Sequence, residues 1–241
     1  MNNEINGSAP KRQSDWRKRA PNILTLLRVA IAVVFFVALG RVDVATFDSS
    51  GLRWGPMVAA WLFVVAAVTD ALDGYLARRW NAGSAFGRIV DPAADKLLVL
   101  GAFAILAGPS MSAHVNGSER IVVSGVETWM VVVFIARELL STSIRAVAEG
   151  AGVAFAANWW GKGKMVAQSL CAPLVLALLA VASTQALTEG GWARRSIDIA
   201  VWATVVITVA SAWPYLKAVG RTFASADIAD VHSGTSEQQG Q

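Results

Sequence analysis

Thr69-Asp70-Ala71-Leu72-Asp73-Gly74-Tyr75-Leu76-Ala77-Arg78, followed eight residues later by Gly87-Arg88-Ile89-Val90-Asp91-Pro92-Ala93-Ala94-Asp95-Lys96, is the stretch whose spacing organises the rest of the chain. Asp70 and Asp73 are three apart and Asp91 and Asp95 four apart, so each pair falls on one face of a helix. The apolar residues before Asp70 and after Asp95 predict two helices joined by a short link. An antiparallel hairpin of that kind brings both carboxylate pairs to the same end. Pro92 suits the first turn of the second of these helices, where a missing donor costs nothing. That places the start of the helix near Asp91.

Outward from the hairpin the chain is apolar throughout. Of its 241 residues 55% are hydrophobic and 16% charged, with a mean hydropathy of +0.49, which is too apolar for an ordinary soluble domain. Ten Trp residues suit a membrane-water interface. A lone Cys171 excludes an internal disulfide, and His114 and His232 are too isolated to suggest a zinc site. The formal charge of +4 is not organised as basic stretches interleaved with aromatics, so no nucleic-acid partner is expected.

A bilayer core needs about 20 apolar residues as helix. Six segments qualify, the third being short unless it starts near Asp91: Ile23 to Gly40, Pro56 to Ala77, Ala94 to Ala107, Thr128 to Ala148, Met165 to Leu187 and Ile197 to Val219. With the N-terminus cytoplasmic, the inner side carries Lys11, Arg12, Arg17, Lys18, Arg19, Arg78, Arg79, Arg88, Lys162, Lys164, Lys217 and Arg221. The outer loops carry only Arg41, Arg53, Arg120, Arg194 and Arg195. This asymmetry predicts an all-α, multi-pass protein of the inner (cytoplasmic) membrane with both termini in the cytoplasm. The run from Pro21 follows a basic stretch and no small-residue cleavage site ends it, so it reads as a retained helix. The expected organisation is a cytoplasmic segment over 1–20, with an amphipathic surface helix within 11–20, a six-helix catalytic domain over 21–221 and a disordered polar tail over 222–241. The Asn116-Gly117-Ser118 sequon reads as a plain polar turn in an outer loop.

Four carboxylates at membrane depth repel one another and need cations. Oxygen-only ligands suit Mg²⁺ or Mn²⁺, and two divalent ions would balance four carboxylates. The structural alternative is pairing with Arg78, Arg79, Arg88 and Lys96. Gly74 and Ala77, interleaved with the first pair, would admit close approach of a nucleotide or tight helix packing.

The run Asp70-x-x-Asp73-Gly74-x-x-Ala77-Arg78, eight residues, Gly87, three residues, Asp91, three residues, Asp95 resembles, at every defined position, the signature of the CDP-alcohol phosphatidyltransferases. The resemblance implies a six-helix membrane fold, a homodimer and a polar cavity open to the cytoplasm. It further implies that Asp70, Asp73, Asp91 and Asp95 bind two metal ions and that Asp95 doubles as general base. By the same match Gly74, Arg78 and Ser84 would contact the CDP moiety, with Ala77 and Gly87 allowing close approach. Asn22, Thr25 and Arg28 would hold the donor diphosphate, although Arg28 could instead snorkel to the interface.

Residues 20 to 170 are further similar to one branch, the bacterial phosphatidylglycerophosphate synthases, through Pro21 to Arg28, Ala77 to Asn81, Asp95 to Val99, Ala136-Arg137-Glu138 and Trp160 to Lys164. Ala71, Thr142-Ser143 and Met165 depart from that pattern. The residues themselves point to an anionic acceptor. Arg137, Ser141 and Arg145 repeat every four residues, and Lys162 and Lys164 approach from the same side. Arg137, Arg145 and Lys164 are the candidate phosphate ligands, against the alternative that they serve neighbouring helices and topology. Together these readings predict transfer of the phosphatidyl group from CDP-diacylglycerol to glycerol 3-phosphate. The alternatives are another acceptor such as inositol phosphate or serine, a membrane prenyltransferase, or a non-catalytic metal-binding or transport protein.

Overall fold

The computed structural model describes residues 15–47, 52–80, 85–115, 119–150, 159–188 and 190–213. Over these the chain is mostly helical: α1 (Asp15–Gly40), α2 (Trp54–Trp80), α3 (Ala85–Leu106), α4 (Thr128–Gly150), α5 (Trp159–Val181), the short α6 (Thr184–Thr188) and α7 (Trp192–Ala210). Strands β1 (Ser112–Val115) and β2 (Glu119–Val122) pair antiparallel between α3 and α4, with Ser112 opposite Val122. The sequon at 116–118 falls outside the described residues, as do 1–14 and 214–241. Residues 15–20 are helical and run without a break into the apolar part of α1.

Each of the six apolar segments corresponds to one long helix, with three differences. First, α3 begins at Ala85, so Pro92 lies inside the helix and not at its first turn. Second, the apolar run from Met165 does not continue unbroken to Leu187. It stops at Val181, and Ser183 starts α6 by accepting the amide of Ala186 on its hydroxyl at 3.2 Å. Third, α7 starts at Trp192 and takes in the outer arginines 194 and 195.

Side-chain contacts fix an alternating, up-and-down course. Arg53, just before α2, donates to the carbonyls of Leu179 (2.9 Å) and Ala182 (2.6 Å) at the end of α5 and to Thr184 Oγ1 (2.9 Å). Ser124, before α4, donates to the Leu106 carbonyl at the end of α3 (2.5 Å), and Arg194, at the start of α7, donates to the Val122 carbonyl (2.6 Å). These contacts gather at one end of the bundle. The C-terminal half of α2, the N-terminal half of α3 and the C-terminal half of α4 therefore meet at the other.

The core between the helices is aromatic and aliphatic. Phe35 of α1 meets Phe63 of α2 edge-on, with ring centroids 5.6 Å apart, and Phe103 of α3 meets Phe134 of α4 at 5.0 Å. Leu176 and Leu179 of α5 and Ile197 and Val201 of α7 complete it. The outward faces are also apolar: Leu26, Val33, Trp61, Val68, Ile199 and Val206 are all exposed. A surface of that kind is unfavourable in water and at rest against hydrocarbon. Among the described residues two helical stretches, Trp54–Leu72 and Gly163–Val181, are long and apolar enough to cross a membrane. The apolar parts of α1 and α3, Thr25–Gly40 and Lys96–Leu106, are shorter.

Arg53 shows how the far end is held. Its guanidinium caps the last carbonyls of α5 and lies 4.3 Å over the Phe47 ring, and burial draws its pKa below the ordinary arginine value without discharging it. Arg53→Ala is expected to cost about 2 kcal/mol, read as a fall of about 4–8 °C in the Tm of the detergent-solubilised protein. Turnover below that Tm should be retained, because no catalytic group lies at that end.

Candidate functional site

The four aspartates fall at matched heights on the α2–α3 hairpin. Asp73 and Asp70 are seven and ten residues before the end of α2 at Trp80, and Asp91 and Asp95 six and ten residues after the start of α3 at Ala85. At about 1.5 Å per residue the two pairs sit roughly 10 and 15 Å into the hairpin. Because α3 starts earlier than Pro92, positions 91 and 95 fall within the helix instead of at its terminus. The side chains of Asp73, Gly74, Ala77, Arg78, Gly87, Asp91 and Asp95, the side chain of Asn22, and Ser84 altogether, lie outside the described residues.

Asp70 is described. Its carboxylate is 39% exposed, and Arg28 of α1, only 2% exposed, reaches it at 2.6 Å. Thr25, one turn before Arg28, is buried as well. So α1 brings two of the expected diphosphate-binding residues, Thr25 and Arg28, to the aspartate hairpin. Arg28 does not snorkel outward; it turns in against Asp70. Of the cations weighed as structural partners for the aspartates, two are described: Arg79 donates to Tyr75 Oη (3.3 Å) and Lys96 turns to α4.

The donor set fits a hard divalent cation. All four candidate ligands are carboxylate oxygens, and the described one, Asp70, is partly open and already draws a positive group to itself. Among the described residues no three His, Cys, Asp or Glu side chains gather. Asp70, Asp73, Asp91 and Asp95 are the residues that would hold such an ion.

A second centre is built by α3, α4 and α5. Glu138 of α4 is 17% exposed and receives three cations from three helices: Lys96 of α3 on Oε1 at 3.3 Å, Arg137 of α4 on Oε2 at 3.3 Å, and Lys164 of α5 on Oε2. Hydroxyls brace it: Ser141 and Thr142 donate to the Glu138 carbonyl at 3.1 and 2.9 Å, and Lys96 Nζ also donates to Thr142 Oγ1 at 2.9 Å. Arg137 additionally reaches Ser141 Oγ and, at 3.4 Å, the Ser211 carbonyl past the end of α7. Beside this centre lies a cleft of about 50 Å³, lined by Lys96, Glu138, Lys164 and Gln168 with apolar neighbours. That is room for a few waters.

Two of the three expected phosphate ligands, Arg137 and Lys164, thus meet at one carboxylate. Arg145 is exposed two turns beyond Glu138 on α4. Lys96 and the convergence on Glu138 were not foreseen. The available signal was that Lys96 directly follows Asp95, so on a helix it points about 100° away from it.

Comparison with known proteins follows the same lines. The family model for CDP-alcohol phosphatidyltransferase matches residues 18–213. The chain is 36% identical over 204 residues to the Bacillus subtilis protein named CDP-diacylglycerol–glycerol-3-phosphate 3-phosphatidyltransferase, covering 82% of this chain and 93% of that one. It is 38% identical over 154 residues to the Escherichia coli protein of the same name (61% and 71% covered). It is 34% identical over 195 residues to an Arabidopsis thaliana relative named as the second such transferase of that plant (77% and 76% covered).

Proposed function

The chain belongs to the CDP-alcohol phosphatidyltransferase family, and on that premise we propose that it transfers the phosphatidyl group of CDP-diacylglycerol to sn-glycerol 3-phosphate, giving phosphatidylglycerophosphate and CMP in phospholipid biosynthesis. The observation that carries the acceptor is the centre around Glu138. Lys96 and Lys164, from two helices, line one small cleft beside that carboxylate, and Arg137 joins them on it. Converging cationic donors of this kind suit a phosphomonoester dianion, which they would hold by charge-assisted hydrogen bonds.

In this reading the diphosphate of the donor lies along the aspartate hairpin, with Arg28 and Thr25 of α1 beside it and the acyl chains in the bilayer. Two Mg²⁺ or Mn²⁺ ions held by Asp70, Asp73, Asp91 and Asp95 would supply charge neutralisation for the transferring and leaving oxygens. Asp95 accepts the proton of the acceptor's 1-hydroxyl, whose oxygen bonds to the β-phosphorus as the bridging P–O bond breaks and leaves with CMP. Gly74, Arg78, Ser84, Ala77 and Gly87 accommodate the cytidine nucleotide. Arg137, Arg145 and Lys164 orient the acceptor through its phosphate. α3 carries Asp91 and Asp95 and also Lys96, so one helix joins the donor and acceptor centres.

The same reading places all six long helices across the inner membrane, with both termini and the aspartate end in the cytoplasm, and takes the protein as a homodimer. What supports the span assignment is the apolar outer face and the excess of Lys and Arg at the aspartate end. A cysteine placed at Ser84, after replacement of the buried Cys171, is expected to react only with reagents that reach the cytoplasm, and one at Ser118 from outside. The reverse labelling pattern would contradict this topology.

The deciding experiment is incubation of the purified protein and divalent metal with CDP-diacylglycerol and glycerol 3-phosphate, inositol phosphate or serine, followed by the mass of the lipid formed. Phosphatidylglycerophosphate with release of CMP is expected. Phosphatidylinositol phosphate would keep the dianion argument and replace the acceptor. Phosphatidylserine as the main product, or release of pyrophosphate, would sink the reading.

A further inference from the structure

We propose that Lys96 is itself a ligand of the acceptor phosphate and that Glu138 is the positioning residue that aims it; this rests on the acceptor reading above. Three observations meet here. Lys96 is covalently one residue from Asp95, so the placement of its ammonium is tied to the proposed base more closely than that of any group on α4 or α5. At 38% side-chain exposure it is far more open than Arg137 (6%), and it forms one wall of the cleft. The two oxygens of Glu138 are divided: Oε1 faces Lys96, while Oε2 takes Arg137 and Lys164. A forked carboxylate of this kind holds cations from α3, α4 and α5 around one point without cancelling them.

An anion entering the cleft therefore meets Lys96, which is on Oε1 of Glu138, and Lys164, which is on Oε2, while Thr142 Oγ1 accepts from Lys96 at 2.9 Å. A space for a few waters matches the oxygens of one phosphate better than any larger group. The glycerol portion would then extend toward Asp95 on the same helix. A phosphate held partly by α3 fixes the distance from acceptor phosphate to base within one rigid element. Contacts from α4 and α5 alone would leave that distance to helix packing.

Lys96→Ala, Lys96→Arg, Glu138→Gln and the Lys96→Ala/Glu138→Gln double variant test this. Steady-state kinetics for glycerol 3-phosphate and for CDP-diacylglycerol would be combined with calorimetric titration of inorganic phosphate into the full-length protein in detergent. Lys96→Ala is expected to raise the KM for glycerol 3-phosphate by about 10- to 100-fold. Its KM for CDP-diacylglycerol should stay near parental, and Lys96→Arg should recover most of the loss. Glu138→Gln should raise the same KM, and the double variant should fall short of the product of the two effects, because one residue acts through the other. Phosphate binding should weaken in Lys96→Ala. An unchanged donor KM in each variant certifies its fold. Turnover of glycerol 3-phosphate by Lys96→Ala at parental KM overturns the inference and leaves the acceptor reading standing. A loss confined to kcat, or shared with the donor, also overturns it. If the parent fails to use glycerol 3-phosphate yet binds phosphate in a Lys96-dependent way, the anion site is supported and the acceptor reading falls.

Discussion

Asp95→Asn is expected to abolish turnover while CDP-diacylglycerol still binds. The carboxamide keeps the shape of the side chain and one oxygen, but it cannot accept the proton of the attacking hydroxyl. General-base catalysis of this kind contributes about 10²- to 10⁴-fold, and Asp95 is also one of four proposed cation ligands, so the loss should lie at the upper end. Asp70→Asn should behave differently. Its partner Arg28 is almost fully buried and only 2.6 Å away, so the neutral variant takes a carboxylate charge from beside a buried guanidinium and weakens metal binding together with the fold of the α1–α2 contact. The two variants are separated by measuring metal affinity and donor binding beside turnover. Near-normal turnover in Asp95→Asn would falsify the base assignment. Unchanged metal affinity in Asp70→Asn would make its pairing with Arg28 purely structural.

Much of this arrangement was legible in the sequence because it depends on periodicity. The three- and four-residue spacings of the aspartates require only that α2 and α3 be helices, and both are. The apolar runs located the long helices, since a long apolar stretch has few other outcomes. Features set by tertiary contacts were not legible. The end of α5 at Val181 depends on Arg53, 126 residues away from Leu179, taking its last carbonyls, while the local sequence stays apolar enough to continue. The start of α3 at Ala85 ran against the expectation from Pro92, because a proline inside a helix forfeits one hydrogen bond, a loss that favourable packing of the rest can offset. The hairpin strands have four residues each, too few for alternation to show.

The same division holds at the site. The family signature pointed to the hairpin, and the stripe of Arg137, Ser141 and Arg145 on α4 was visible as a four-residue repeat. That Lys96 and Lys164 would both turn to Glu138 was not, because side chains from three helices meet there and no local spacing encodes it. In the sequence Lys96 competed as a partner for the aspartates; in the structure Glu138 is what it reaches.

The variants Lys164→Ala and Arg137→Ala should therefore lose acceptor use for different reasons. Lys164 is buried against Glu138. Removing it deletes one charge-assisted contact to the acceptor phosphate, worth about 1.5–3 kcal/mol, or roughly 10- to 150-fold in kcat/KM for glycerol 3-phosphate. Donor binding should barely change. Arg137 does more: besides Glu138 it engages Ser141 on its own helix and the Ser211 carbonyl at the end of α7. Its truncation should bring the same kinetic loss plus a fall in Tm, because the α4–α7 contact loses its charged link. Arg145, exposed and two turns past Glu138, should give the smallest effect of the three. Each variant must first elute like the parent in detergent. A loss of CDP-diacylglycerol affinity with intact acceptor KM would reassign these cations to the donor diphosphate. Parental acceptor kinetics in all three would place the phosphate pocket elsewhere and make the convergence on Glu138 structural.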